Sequence, residues 1–221
     1  MTAKHDENDI SISKLIFVPF LISLAVTLLR LVGELQHWPV ALFNPAAGGG
    51  GAVVGISWLV PIFGIYFAYK LVRAGKGPSS TGKAILYALL ALVVFFGGAV
   101  ILGKSGPSPL ALLGFALFLC AAIVPAAGWK DLFKALLAYA LSARIPVAIL
   151  MFFAIQGDWH THYDVAPPGF PEGVSLWSKY VQIGLLPQLT LWIGFTVAVG
   201  ALFGSLVAAF LPRDKKVPQP A

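Results

Sequence analysis

Six apolar blocks dominate the sequence, and each is close to the length that an α-helix needs to cross a lipid bilayer. A helix rises 1.5 Å per residue, so about 20 apolar residues span the hydrocarbon layer. Only 11% of the 221 residues are charged and 58% are hydrophobic, whereas about 25% are charged in an ordinary soluble domain. The sequence therefore predicts an all-α fold, a polytopic integral membrane bundle of six transmembrane helices in a single domain over residues 1–221. The predicted spans are Leu15–Leu35, Val53–Val72, Ala84–Leu102, Leu110–Gly128, Leu132–Ile155 and Val181–Leu211.

Basic residues at the ends of the blocks predict how the bundle is oriented, because short cytoplasmic loops carry an excess of Lys and Arg. With the N-terminus inside, eleven such residues lie on the cytoplasmic side and two on the outer side. We therefore expect an N-in/C-in topology with cytoplasmic tails, residues 1–14 and 212–221, and two long outer loops, Gln36–Ala52 and Gln156–Tyr180. The specific expectation for location is the bacterial cytoplasmic (inner) membrane. The inside residues are Lys4, Lys14, Lys70, Arg73, Lys76, Lys83, Lys130, Lys134, Arg213, Lys215 and Lys216, and the outside residues are Lys104 and Lys179.

The net charge of +6 does not indicate a nucleic-acid partner. Lys and Arg are scattered singly and form no basic stripe, so the lipid bilayer is the partner that the composition predicts. The single cysteine, Cys120, excludes an intrachain disulfide. We find no convincing internal repeat, which counts against a transporter built from inverted repeats.

Small residues cluster along span six. Steps of three and four place five of them on one helical face, and a GxxxG pair lies beside that row. Such a surface lets two helix backbones approach closely, so we predict that it packs against another helix. A neighbour in the same chain is the default, while a second copy or a subunit of a membrane complex is the alternative. The row is Gly194, Ala198, Ala201, Ser205 and Ala208, and the pair is Gly200 and Gly204.

The densest polar segment, DWHTHYD at residues 158–164, lies in the second long loop. Side chains alternate along an extended chain, so its two aspartates and two histidines would share one side. Imidazole and carboxylate groups suit Zn, Mn or Fe ions, which makes the segment a candidate divalent-metal site. An ordinary interfacial loop flanked by aromatic residues is the competing interpretation. The candidate ligands are Asp158, His160, His162 and Asp164, together with His37.

The end of span one brings further polar side chains to the same surface. Arg30, Glu34 and His37 stand at i, i+4 and i+7, so they face one side of a helix. We expect Arg30 and Glu34 to pair and to orient this end of the span. With His37 beside the DWHTHYD segment, the pattern predicts an outward-facing site that binds a divalent metal or a polar headgroup.

Arg144 is the ionisable residue placed deepest in an apolar block, roughly 17 Å from either end of span five at 1.5 Å per residue. An arginine at that depth costs about 2.5–3.5 kcal/mol on insertion scales, so it should face the bundle interior or a water-filled cavity. No carboxylate lies at matching depth. The remaining partners are Gln188, Ser142, carbonyls freed by prolines, water or an anionic ligand. A purely structural arginine that caps carbonyls is the alternative.

Three functions fit these observations. The first is a protein that binds or transports a small or lipid-like ligand, with Arg30, Glu34, Arg144 and Gln188 as candidate binding residues. The second is a non-catalytic accessory or assembly subunit that docks through span six. The third is a metal-dependent enzyme that acts on a lipid or isoprenoid substrate. Because the chain carries no established catalytic motif, we favour a non-enzymatic role.

Overall fold

Helices occupy all six positions at which the sequence predicts them. The computed structural model describes residues 10–49, 51–106 and 108–212, and within these ranges six helices are long and apolar enough to cross a membrane. The predicted basic residues Lys4, Arg213, Lys215 and Lys216 lie outside the described residues. The helices are α1 (Ile12–Leu35), α2 (Leu59–Arg73), α3 (Thr81–Ser105), α4 (Leu110–Ile123), α5 (Lys130–Gly157) and α6 (Leu176–Ala208).

Two of these helices reach membrane length only with an added 3-10 turn. Ile56–Trp58 precedes α2 and Val124–Ala127 continues α4, which gives spans of 18 residues each. Large apolar side chains cover the outside of the bundle, among them Phe17, Val93 and Phe96. A helical surface of this kind is stable against lipid tails and not against water. The structure is therefore consistent with an integral membrane protein.

The C-terminal half of α6 is the centre of the bundle and packs against α2, α3, α4 and α5. Gly64 of α2 lies so close to Gly200 that an added Cβ would be 2.5 Å from the Gly200 carbonyl oxygen. A Cβ added at Gly194 would likewise lie 2.6 Å from the carbonyl oxygen of Phe118 on α4. All seven small residues predicted on span six are buried inside this chain. Because neighbouring helices cover this face, a second copy or a partner subunit would have to use another surface.

The N-terminal half of α6 is irregular. It begins as a short α-helical turn, Leu176–Lys179, continues as a π-helix over Tyr180–Leu185, and returns to α-helix at Leu186–Leu189. Thr190 then breaks the regular geometry, with φ −122° and ψ −71°. Such irregularities change the direction in which side chains project, and π-turns are frequent at functional sites.

α1 lies against α5 and is fixed to it at mid-height by a polar contact. The Ser23 hydroxyl is 2.7 Å from the Tyr139 hydroxyl, and it also donates to the Pro19 carbonyl at 2.9 Å. Both Ser23 and Tyr139 are fully buried. This contact sets α1 beside α5, with the ends of the two helices, Leu35 and Gly157, at the same end of the bundle.

Candidate functional site

A cavity of about 460 Å³ lies between α1, α5 and the N-terminal half of α6. Residues from both long loops close the end that faces Leu35 and Gly157. The walls are mostly apolar, and the polar side chains concentrate at two levels. The polar and charged residues of the lining are Thr27, Arg30, Ser57, Arg144, His162, Tyr163, Gln182 and Gln188.

Arg144 marks the deeper level. Its side chain is only 4% exposed, and its guanidinium carbon lies 4.6 Å from the centre of the Trp192 ring on α6. The Nε atom has no hydrogen-bond partner among the described residues, and no described carboxylate pairs with this charge. Of the predicted partners, Ser142 donates to the Tyr139 carbonyl instead. The arginine is therefore held by stacking on an aromatic ring, and its donors are left for something else.

Gln188 lies four residues before Trp192 on α6 and is 7% exposed. Its amide nitrogen donates to the Met151 sulfur at 3.4 Å. Its Oε1 atom is buried and accepts no hydrogen bond from the described residues. Buried polar atoms without partners are rare in folded proteins, so two of them in the lining of one cavity indicate that this cavity is suited to binding a polar molecule.

Glu34 organises the level nearer the loops. Its carboxylate accepts a hydrogen bond from Arg30 Nε at 2.7 Å, and from both the backbone N–H and ring Nδ1 of His162 at 2.8 and 2.6 Å. The glutamate side chain has no solvent exposure. One carboxylate thus joins the end of α1 to the second long loop and fixes the orientation of the imidazole.

Arg30 joins the first long loop to the same point. Its Nη2 atom donates to the carbonyl oxygens of Asn44 at 3.1 Å and Gly49 at 2.9 Å. Both long loops are therefore attached to a single ion pair on α1, over the mouth of the cavity. The sequence predicts this ion pair from its i, i+4 spacing, while the loop contacts depend on the tertiary structure.

Burial lowers the pKa of His162 below its ordinary value. The hydrogen bond that the imidazole donates to Glu34 opposes this effect, but Arg30 already neutralises that carboxylate, and the charge of Arg30 further disfavours a protonated imidazole. The ring is accordingly neutral at pH 7, with the proton on Nδ1. Burial raises the pKa of Tyr163, whose hydroxyl donates to the Thr27 carbonyl at 3.2 Å. Both groups enter the cavity lining uncharged.

The DWHTHYD segment is not extended, so the prediction of alternating side chains is wrong. Asp158 and His160 have positive φ angles of 48° and 56°, and residues 161–164 form turns. Asp164 closes this turn: one oxygen accepts from the His160 N–H at 2.9 Å, and the other from the N–H and hydroxyl of Thr161 at 2.8 and 2.7 Å. Short polar side chains often stabilise a turn in this way and tolerate left-handed backbone angles.

The structure brings three of the five predicted metal ligands together. The ligand atoms of Asp158, His160 and Asp164 lie within 4.8 Å of one another, while His162 turns away to Glu34. His37 is exposed beyond the end of α1, with φ 51°, and is not part of the group. Three ligands at a mostly exposed turn are a weaker arrangement than the five that the sequence predicts, and both Asp164 oxygens already accept hydrogen bonds.

Sequence reasoning missed Trp192 and the particular role of His162. Trp192 stands four residues after Gln188 on a helix, so the two face one side, and this spacing was a usable signal. The bond between His162 and Glu34 had no signal in the sequence, since 128 residues separate them. Comparison of the chain with protein-family models, with curated proteins and with solved structures found no match.

Proposed function

We propose that this chain is an integral membrane protein that binds or transports a small or lipid-like molecule through an anionic group, in a cavity open to the outer side of the membrane. The observation that carries the proposal is Arg144, a buried cation in the lining of a cavity that pairs with no carboxylate in the described part of the chain. A guanidinium offers five N–H donors in a planar fork that matches carboxylate and phosphate oxygens. The stacked Trp192 ring occupies one face and leaves these donors free.

The energetics of burying Arg144 favour ligand binding over a purely structural role for this residue. An arginine that served only to stabilise helices would be expected to hydrogen-bond to carbonyl oxygens, and none of the described residues accepts such a bond from Arg144. Stacking on tryptophan contributes about 0.5–2 kcal/mol, less than the cost of an arginine at this depth. An anion with accessible oxygens supplies what is missing.

The distribution of basic residues supports an outward-facing mouth. The cavity is closed by the two loops that the charge asymmetry places outside, and the bacterial inner membrane remains the specific proposal for location. Cysteine labelling in intact cells tests the orientation: sites introduced at Gly51 and Gly173 should react with an impermeant reagent, and a site at Lys76 should not. Labelling at Lys76 from outside would overturn the orientation.

The binding proposal is tested by identifying what co-purifies with the protein. Molecules released from the detergent-purified wild type are compared by negative-mode mass spectrometry with those from Arg144→Gln and Arg73→Gln variants. Both variants remove one positive charge, but Arg73 is exposed at the opposite end of the bundle. We expect an anionic molecule in the wild type and in Arg73→Gln, and its loss from a folded Arg144→Gln. Equal recovery from all three would contradict the proposal.

One observation favours an enzyme as the second candidate. The imidazole of His162 is held by Glu34 through Nδ1, and its other nitrogen accepts no hydrogen bond among the described residues while the residue lines the cavity. A carboxylate and a neutral imidazole in this arrangement are suited to general base catalysis on a bound ligand. A His162→Gln variant that keeps ligand binding but no longer converts the bound molecule would favour catalysis over binding alone.

A further inference from the structure

We infer that the cavity selects a ligand with a single negative charge and, separated from that charge by a short apolar linker, a neutral hydrogen-bond donor such as a hydroxyl group. The inference rests on the proposed function, in which the anionic group binds Arg144. It adds two requirements that come from separate observations, namely the balance of charge in the lining and the unpartnered oxygen of Gln188.

The balance of charge comes from the ionisable side chains of the cavity lining, which are Arg30, Arg144, His162 and Tyr163. Glu34 neutralises Arg30 at 2.7 Å, while the histidine and the tyrosine are uncharged at pH 7. Arg144 is left as the single uncompensated charge. One negative charge on the ligand restores neutrality, whereas a second would be buried without a partner.

The donor requirement comes from the orientation of the Gln188 amide. A thioether sulfur accepts hydrogen bonds and cannot donate them, so the amide nitrogen must be the atom that faces Met151. This fixes Oε1 on the other side of the amide, where it is buried and accepts nothing from the described residues. A buried carbonyl oxygen left without a donor is costly, so a ligand that brings a donor gains affinity.

Both groups lie in the lining of the same cavity. Arg144 stacks on Trp192, and Gln188 precedes Trp192 by four residues, on the other side of the break at Thr190. A volume of about 460 Å³ lies within the range of roughly 300–1,000 Å³ that is typical of small-molecule sites. Val147, Ile183 and Leu191 also line the cavity, which suits a short apolar linker between the anion and the donor.

A matched set of six-carbon probes tests both requirements on the full-length protein in lipid nanodiscs. Dissociation constants are measured by ligand-detected NMR for hexanoate, 6-hydroxyhexanoate, the dianion adipate and the neutral 6-hydroxyhexanamide. We expect 6-hydroxyhexanoate to bind about fivefold more tightly than hexanoate, the gain of one hydrogen bond. Adipate should bind at least about tenfold more weakly than 6-hydroxyhexanoate, because its second charge has no partner. The amide should bind more weakly still.

Variants separate the inference from the function on which it rests. Gln188→Leu has a similar volume and neither donor nor acceptor, so it should abolish the advantage of 6-hydroxyhexanoate over hexanoate, measured as the ratio of their dissociation constants. The exposed Gln36→Leu serves as the control and should keep the wild-type preference. Equal binding of hexanoate and 6-hydroxyhexanoate to the wild type overturns the inference and leaves anion binding intact, and shows that water satisfies Gln188. Failure of both anions to bind, with no difference in Arg144→Gln, overturns the proposed function itself. The wild-type series decides the inference even if a Gln188 variant does not fold.

Discussion

Replacing Glu34 with glutamine should loosen both long loops at once. The substitution keeps the shape of the side chain and removes its charge. Its amide oxygen can take the place of Oε1, which accepts from Arg30 Nε and from the Nδ1 of His162. Its amide nitrogen would then face the backbone N–H of His162, which donates to Oε2 at 2.8 Å. Two donors would oppose each other there, and Arg30 would remain without a counter-ion.

The expected loss follows from the burial of this pair. Breaking a buried ion pair by removing one partner costs about 3–5 kcal/mol. The Arg30 side chain is 11% exposed and that of Glu34 is not exposed at all, and glutamine keeps two of three hydrogen bonds, so the lower end applies, about 3 kcal/mol. For a protein of about this size each kcal/mol lowers the melting temperature by about 2–4 °C, which predicts a decrease of about 6–12 °C.

Thermal unfolding of the purified protein at a fixed scan rate measures this decrease. Glu172→Gln is the matched control, because Glu172 is an exposed carboxylate in the second long loop, and its loss should change stability by no more than about 0.5 kcal/mol. In an Arg30→Gln/Glu34→Gln double variant the two losses should not add, with a coupling of about 0.5–3 kcal/mol. If Glu34→Gln melts like Glu172→Gln, or if the two losses add in full, the reasoning is refuted.

Three further predictions concern pH, packing and metal binding. Burial lowers the pKa of His162, so the unfolded chain binds more protons than the folded one below the ordinary value of about 6.5. The contribution of the neutral imidazole to stability is therefore complete above that pH and is lost on acidification. Between pH 7.5 and 5.5 the melting temperature should fall more steeply in the wild type than in His162→Gln, and equal slopes would contradict this. Gly64→Ala should lower the free energy of unfolding by about 1–3 kcal/mol, because the added Cβ would meet the backbone of Gly200. In the control, Gly97→Ala, the Cβ meets nothing within 4 Å, so this variant should be neutral or slightly stabilising. Equal melting temperatures of the two variants would show that α2 shifts to make room. Zinc should not raise the melting temperature, since both carboxylate oxygens of Asp164 already accept hydrogen bonds. A saturable rise would support a metal site at the Asp158, His160 and Asp164 turn.

The six helices were predictable because their signal is local. An apolar block of membrane length must satisfy its backbone hydrogen bonds within itself, so composition and length are sufficient to predict a helix. Arg30 and Glu34 were predictable for a similar reason, since a spacing of four residues brings two side chains together on any helix. The same logic failed for the DWHTHYD segment, where periodicity was applied to a turn. There the local hydrogen bonds of Asp164 determine the backbone.

The sequence by itself determined that this chain forms apolar helices, which residues are too polar to face lipid, and that Arg144 lacks a carboxylate at its own depth. Only the tertiary structure decided what those residues contact. Glu34 and His162 are 128 positions apart, and Arg144 and Trp192 lie on different helices. Pairs of this kind depend on how helices pack and where α6 departs from regular geometry, and neither follows from periodicity. Burial and spacing within a helix are properties of short segments, whereas a binding cavity is a property of the whole bundle.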